Sequence, residues 1–465
     1  MRNCSWNGFS EQIKHLRKSF AQAEGLPFAN VLSSDLLQRV GGETAQSSEP
    51  VYTPLVTLWM FLSQVFDHDH SCRQAVARLL AWLAACKQPT CSCATGGYCK
   101  ARQRLREEDL HQLVQATGQQ LSQTAKPAWL WKGRTVKVAD GTTVRMPDTP
   151  ENQLAFPQPD GQQPGLGFPM ARLVALFSLA TASVLDLGIG AYRGKGTGEL
   201  SLLRSIWHHL TRGEVLLGDR IYCSYCELAL LLGRGIDVVM HKHQSRRTDF
   251  RTGVRLGKKD HLIVWKKPRQ RPDWMAEDIW QGLPDELELR ELEVLVQQRG
   301  YRPKKRIVIT TLRDAQQYQQ QEIADLYLER WHVELDLRSL KQAMHMEELR
   351  CKTPAMVRKE IWMHLLAYNL IRGLIAEAAS QHELAPRQIS FTGALQTLNA
   401  FQFLLSSCHH EEPDEIHRRL LRAIASHRVG ERPGRVEPRA KKRRKKNYPL
   451  LTEPRSLARK RLLQK

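Results

Sequence analysis

The stretch RTVKVADGTTVRM, Arg134–Met146, decides how the rest of the chain is read. Its residues alternate and are rich in β-branched side chains, which predicts a strand running into a second strand or a turn. Asp140 stands within it, on or at the end of an apolar run. Downstream, Leu173–Tyr192 reads as two strands around a turn near Ala182 and Ser183. Gly198–Leu210 reads as a helix, Glu214–Asp219 (EVLLGD) as a buried strand, Tyr225–Gly233 as a helix and Asp237–His243 as another strand. Three strands followed by alternating helix and strand predict an α/β fold, a mixed sheet with helices on its faces.

Outside this centre the pattern changes in both directions. Residues 1–128 are mostly helical, with apolar residues at helical spacing in Gln12–Glu24, Thr57–Phe66, Cys72–Leu83 and Lys100–Leu121. Residues 244–305 are polar, hold Trp265, Trp274 and Trp280, and interrupt the alternation. Arg306–Leu312 resumes strand character, and Gln320–Met346 predicts one long helix without Gly or Pro. Thr353 and Pro354 open a further helix to about Ala379, with Pro in the first turn. Residues 386–428 read as helical.

Composition narrows the partners. The 465 residues carry 69 Lys+Arg against 48 Asp+Glu, a net charge of +21, which points to a polyanion. A spanning helix is not expected, because the longest uncharged apolar-looking run, Leu173–Leu185, is 13 residues and about 20 are needed. The N-terminus shows no uninterrupted apolar signal segment, and the ten Cys are scattered, so a reducing cytoplasm is the expected compartment. The last 35 residues hold 14 Lys/Arg against three Glu, including the run Lys441, Lys442, Arg443, Arg444. In isolation that run is a solvated charge cluster; beside nucleic-acid chemistry it reads as a DNA-contacting arm. If about ten phosphates are neutralised in all, the log–log salt slope is roughly −9. A salt-insensitive DNA complex would reject that account.

The chemistry concentrates on the long helix. At 100° per residue, Tyr327, Arg330, Glu334 and Lys341 fall at about 0°, 300°, 340° and 320°, inside one 60° sector. Glu329 and Asp336 fall near 200° and 180°, on the far side. One reading is an ordinary salt-bridged helix with Arg330–Glu334 at i,i+4. The other joins Glu334 to Asp140 and Asp219, which ends VLLGD, as an oxygen-only cluster that suits hard cations. The glycine-rich segment 188–198 fits neither dinucleotide nor P-loop spacing, so no nucleotide cofactor is expected. Cys86, Cys91, Cys93 and Cys99 lack paired C-x2-C knuckles, and Asp67–His70 reads as a helix-capping turn.

The spacing Y-x2-R-x3-E-x6-K, filled by Tyr327, Arg330, Glu334 and Lys341, resembles the signature of DDE transposases of insertion-sequence family 4. VADGTTVRMPDTPEN around Asp140 and LLGDRIYCSY at Asp219 resemble the same family, and the likeness spans about residues 55 to 460. The resemblance implies a ribonuclease-H-like fold, a mixed five-stranded sheet with helices, with Asp140, Asp219 and Glu334 as catalytic and metal-binding carboxylates. It implies two Mg²⁺ ions, with Mn²⁺ as a substitute. Residues 129–243 and 306–350 become two parts of a catalytic core around a β-rich insertion at 244–305. Residues 1–128 become a DNA-binding region, 351–430 a helical region for dimerisation, and 431–465 a basic tail. Tyr327, Arg330 and Lys341 match residues that contact DNA near the cleaved end, and Trp331 an aromatic that stacks on a displaced base. One insertion Trp is a further candidate for holding a flipped base. The implied activity is cut-and-paste DNA transposition by a homodimer on double-stranded transposon ends and target DNA, in a bacterial cytoplasm at the nucleoid. The alternatives are a transposase-derived DNA-binding protein without catalysis and a ribonuclease-H-like nuclease.

Overall fold

The computed structural model describes residues 12–13, 32, 34–41, 51–85, 89–296, 304–406, 413–430 and 451–464. The expected helix Gln12–Glu24 and the run Lys441–Arg444 therefore lie outside the described residues, apart from Gln12 and Ile13.

Among the described residues, helices α1 (Ser34–Gly41), α2 (Pro54–Phe66), α3 (Cys72–Ala85), α4 (Gly96–Arg104) and α5 (Glu107–Gln123) precede the sheet. The run expected as one helix over Lys100–Leu121 is broken at Leu105 and Arg106, both of which have extended ψ angles. Ser71 caps α3 by accepting the Gln74 N–H at 3.1 Å, and Arg78 pairs with Asp67 at 2.8 Å, so the DHDH segment is a helix-capping turn.

The sheet follows: β1 (Val136–Arg145), β2 (Met170–Ser178), β3 (Val184–Ala191), β4 (Val215–Gly218), β5 (Asp237–His241), β6 (Val254–Gly257), β7 (Asp260–Lys266), β8 (Glu286–Val296) and β9 (Lys304–Thr310). The helices between these strands are α6 (Pro150–Ala155), α7 (Glu199–Ser205), α8 (Tyr225–Gly233) and α9 (Glu277–Gln281). After the sheet come α10 (Gln320–Glu329), α11 (Trp331–Arg338), α12 (Pro354–Gln381), α13 (Phe391–Ser406), α14 (Pro413–Ser426) and α15 (Arg455–Leu463).

Strand order is β3-β2-β1-β4-β5-β9-β8-β7-β6. The first three strands pair antiparallel, and β1, β4 and β5 run parallel. The sheet is larger than the five strands expected. β9 joins β5 antiparallel, and the insertion strands β8, β7 and β6 continue the same sheet rather than forming a separate one.

Both faces of the central strands are covered, and the two-residue period sorts their side chains into two cores. Val136, Val138, Val215 and Leu217 enter one core with α10, α11 and the long helix α12. Ala139, Leu216 and Val238 enter the other with α7, α8, Trp265 and Trp280. Helix α5 lies directly on β3, where a Cβ at Gly118 would come within 1.9 Å of the Val184 carbonyl oxygen. Gly118→Ala is expected to lower stability by about 1–3 kcal/mol through this overpacking. Urea denaturation checks it, and an unchanged midpoint would reject the close approach.

Candidate active site

Parallel pairing of β1 with β4 ends at Val138↔Leu217, and the two strands part beyond it. Asp140 and Asp219 each lie two residues past that last pair. Alternation therefore turns both toward the face that carries α10 and α11. A crevice at the carboxyl end of β4, where the strand order reverses, is where open α/β sheets place ligand-binding groups.

Glu334 reaches the crevice from α11. A capping box of Gln319 and Glu322 starts α10, and Arg330 stands at the junction of α10 with α11. The Arg330 guanidinium links the carboxylates: it donates to Glu334 at 2.8 Å and lies 3.8 Å from Asp140. His241, at the end of β5, sits 3.7 Å from Asp219. The structure thus brings Asp140, Asp219, Glu334, Arg330 and Tyr327 together.

The electrostatics show what the cluster lacks. Burial pushes Asp140 up to about 6, with the Glu334 and Asp219 charges adding to the rise. The Gly141 N–H at 2.9 Å and Arg330 oppose it without cancelling it. Asp219 is held down at about 2, first by its hydrogen bond with His241. At neutral pH both carboxylates are thus ionised, Asp140 at the greater cost, which a cation bound beside it would offset. Three carboxylates that are 20–42% exposed, two of them on one guanidinium and the third on His241, form an oxygen donor set of the kind that suits a hard divalent cation.

The remaining expected residues are placed less uniformly. Tyr327 is buried, its ring 6.5 Å from that of His241, and burial raises its phenol above the usual range. It packs beneath Arg330 rather than presenting itself to solvent. Trp331 is 49% exposed beside the crevice. The expected single helix 320–346 is interrupted at Arg330, and Lys341 lies in its last turn, Ser339–Ala343, which is π-helical, so the ideal 100° step does not place it. The Lys341 ammonium has no ion pair among the described residues. Of the insertion tryptophans, Trp265 and Trp280 are core residues. Trp274 is 42% exposed with the Arg204 guanidinium 3.7 Å from its ring centroid.

Three features escaped sequence reasoning. His241 follows an apolar strand, and only the β4–β5 register shows that it meets Asp219. Glu199 begins α7, and its carboxylate fills the space a Cβ at Gly141 would need, while its Oε2 accepts the Tyr222 hydroxyl at 3.4 Å. Asp336 faces away from the crevice into a buried cluster of arginines. Its signal was its 180° position, opposite Tyr327.

Comparison with known proteins gives the family. Residues 131–370 match the family described as the transposase DDE domain. The chain is 30% identical over 406 residues to transposase InsG for insertion sequence element IS4 of Escherichia coli (strain K12), covering 84% of this chain and 86% of that protein. The transposase for insertion sequence element IS421 of Escherichia coli is 33% identical over 69 residues, 15% of this chain and 19% of that one. Among solved structures, the piggyBac transposase synaptic complex with hairpin DNA aligns over 90% of this chain and 86% of that chain, with a TM-score of 0.44 and 11% identity. A DNA transposase of the DDE class, on a mixed α/β fold, is what the family match and the InsG relative define. The chain belongs to the DDE transposases of the IS4 family. It is accordingly an enzyme of phosphodiester breakage and transesterification that acts on DNA. Among the described residues, no helix is long and apolar enough to cross a membrane.

Proposed function

We propose that the protein binds the terminal inverted repeats of an insertion sequence, cuts the DNA at the ends and transfers the freed 3′-hydroxyl by cut-and-paste transposition. The observation that carries this reading is the convergence of Asp140, Asp219 and Glu334, from two diverging strands and one helix, on one crevice where the charges of Glu334 and Asp219 act on Asp140 and Arg330 bridges Asp140 and Glu334. Asp140, Asp219 and Glu334 are the residues to hold Mg²⁺, for which Mn²⁺ can substitute. When bound, two such ions supply activation of the attacking oxygen and stabilisation of the leaving one. The chain's own groups do the rest. Asp140 presents a half-buried carboxylate whose charge a bound cation would neutralise, and Arg330 holds Glu334 toward the crevice. Tyr327 supports Arg330 from below, and Trp331 offers an exposed face to an unstacked base.

Domain roles follow the chain. Helices α1–α5 read the end sequence, α12–α14 support a homodimer that pairs two ends, and Lys341 with the basic run Lys441, Lys442, Arg443, Arg444 neutralises phosphates. Such a protein works on the bacterial nucleoid in the cytoplasm. The deciding experiment is cleavage of DNA carrying the element's own ends with Mg²⁺ or Mn²⁺. Nicking and strand joining at the ends are expected. Binding without any cutting would favour a DNA-binding derivative instead. Trp331→Ala is expected to weaken the cleaved-end complex by about 1–3 kcal/mol, the range for one base–aromatic stack, while leaving intact duplex binding nearly unchanged. Gel shifts with pre-cleaved and uncut ends measure the difference, and an equal effect on both would reject the stacking role.

A further inference from the structure

A second cluster of metal-ligating side chains lies on β3, at the sheet edge opposite the insertion. Asp186 is the lone acid of the apolar strand VLDLGIGA, and its carboxylate is 1% exposed. Its Oδ1 accepts the Leu187 N–H at 2.7 Å and lies 2.6 Å from His111 Nε2 of α5. Its Oδ2 lies 2.9 Å from Gln115 Nε2, 2.9 Å from His209 Nε2 and 3.7 Å from His208 Nε2.

Asp186 Oδ2 is the shared point of the cluster: Gln115 Nε2 and His209 Nε2 each lie 2.9 Å from it and 3.1 Å from one another. Both can donate to that one carboxylate oxygen. A cation held by Oδ2 and the imidazole nitrogens would take over the role of the His209 proton.

The surroundings favour a metal ion in that role. The ligand atoms of Asp186, His208 and His209 all lie within 4.8 Å of one another. His208 packs on His209 with ring centroids 4.1 Å apart and is 61% exposed, which leaves one side open to a water ligand. His111 holds the other carboxylate oxygen and is stacked on Trp362 at 4.1 Å, the kind of outer partner that orients a metal-binding carboxylate. The nearby Lys137 ammonium, which bonds the His209 carbonyl, is neutralised by Glu214 at 2.6 Å.

We propose that Asp186, His208 and His209 form a second divalent-cation site, separate from the three-carboxylate crevice. One oxygen and two imidazole nitrogens select a borderline transition ion of the zinc class over Mg²⁺. A bound ion ties β3 to the 3₁₀ turn Trp207–His209, and through His111 and Gln115 to α5. It thereby fastens the N-terminal helical region to the sheet edge.

The test uses the full chain, free of any affinity tag and stripped with chelator, titrated with Zn²⁺ alone by calorimetry and with Co²⁺ by visible absorption. With Mg²⁺ in excess to fill the three-carboxylate crevice, one equivalent is expected to bind, with a cobalt d–d band and no thiolate charge-transfer band. His208→Ala, at an exposed position, and Asp186→Asn are each expected to weaken binding at least about tenfold, whereas Asp140→Ala leaves it unchanged. Unaltered affinity in His208→Ala, a thiolate spectrum, or loss of binding in Asp140→Ala would each overturn the proposal. Should Asp186→Asn not fold, His208→Ala alone decides.

Discussion

Glu334→Ala is expected to reduce cleavage of end DNA by three orders of magnitude or more while the chain still folds and still binds that DNA. A thousandfold loss corresponds to about 4 kcal/mol of barrier. The side chain is 37% exposed and makes one charged contact, with Arg330, so its removal leaves no cavity and strands no fully buried charge. Stability should move little. Binding should hold or tighten, because the change subtracts a negative charge from a surface that meets a polyanion. The loss is therefore confined to the chemical step, where the third carboxylate is missing from the cluster. Asp140→Ala and Asp219→Ala should behave alike. Single-turnover cleavage beside a gel shift on the same duplex separates the two effects. Cleavage that stays within tenfold of the unaltered protein in any of the three variants would remove that residue from the catalytic set.

Much of this arrangement was legible in the residues because it depends on short periods. Alternation in RTVKVADGTTVRM and VLLGD fixes which face each Asp addresses, and both periods hold in the structure. The stripe of Tyr327, Arg330 and Glu334 was legible for the same reason, since three residues within two turns accumulate little angular error. Lys341 lies two turns further on. A π-helical turn there adds a residue per hydrogen-bonded ring, and no residue type in SLKQA announces it. Pairings between distant segments were not legible at all. The β5–β9 contact that merges the insertion with the core sheet joins Val239 to Thr310, and nothing local to either strand names the other. The same holds for the Asp336 partners, which lie 36 and 51 residues away.

Those partners make Asp336→Ala the largest expected stability loss. Asp336 is 1% exposed, and its Oδ1 accepts from Arg372 at 2.6 Å. Its Oδ2 accepts two N–H groups of Arg387 at 3.0 Å. The network continues outward, for Arg372 donates to the Tyr368 hydroxyl at 2.9 Å, and that hydroxyl donates to the Ala182 carbonyl at 3.0 Å. Arg387 also donates to the Leu179 carbonyl at 2.7 Å, so α11, α12 and the β2–β3 turn share one ionic knot. Alanine would leave two guanidinium groups facing each other without a counter-ion, one of them nearly dry. Breaking a buried ion pair from one side costs about 3–5 kcal/mol. Urea denaturation measures it, and a loss below about 1 kcal/mol would show that the knot is not holding the helix. Function should follow for a geometric reason. Asp336 and Glu334 are two residues apart, so on a helix they point about 200° apart, one into the protein and the other into the crevice. Anchoring the first is what aims the second, and Asp336→Ala should therefore lower cleavage at temperatures where the chain is still folded, with DNA affinity falling less.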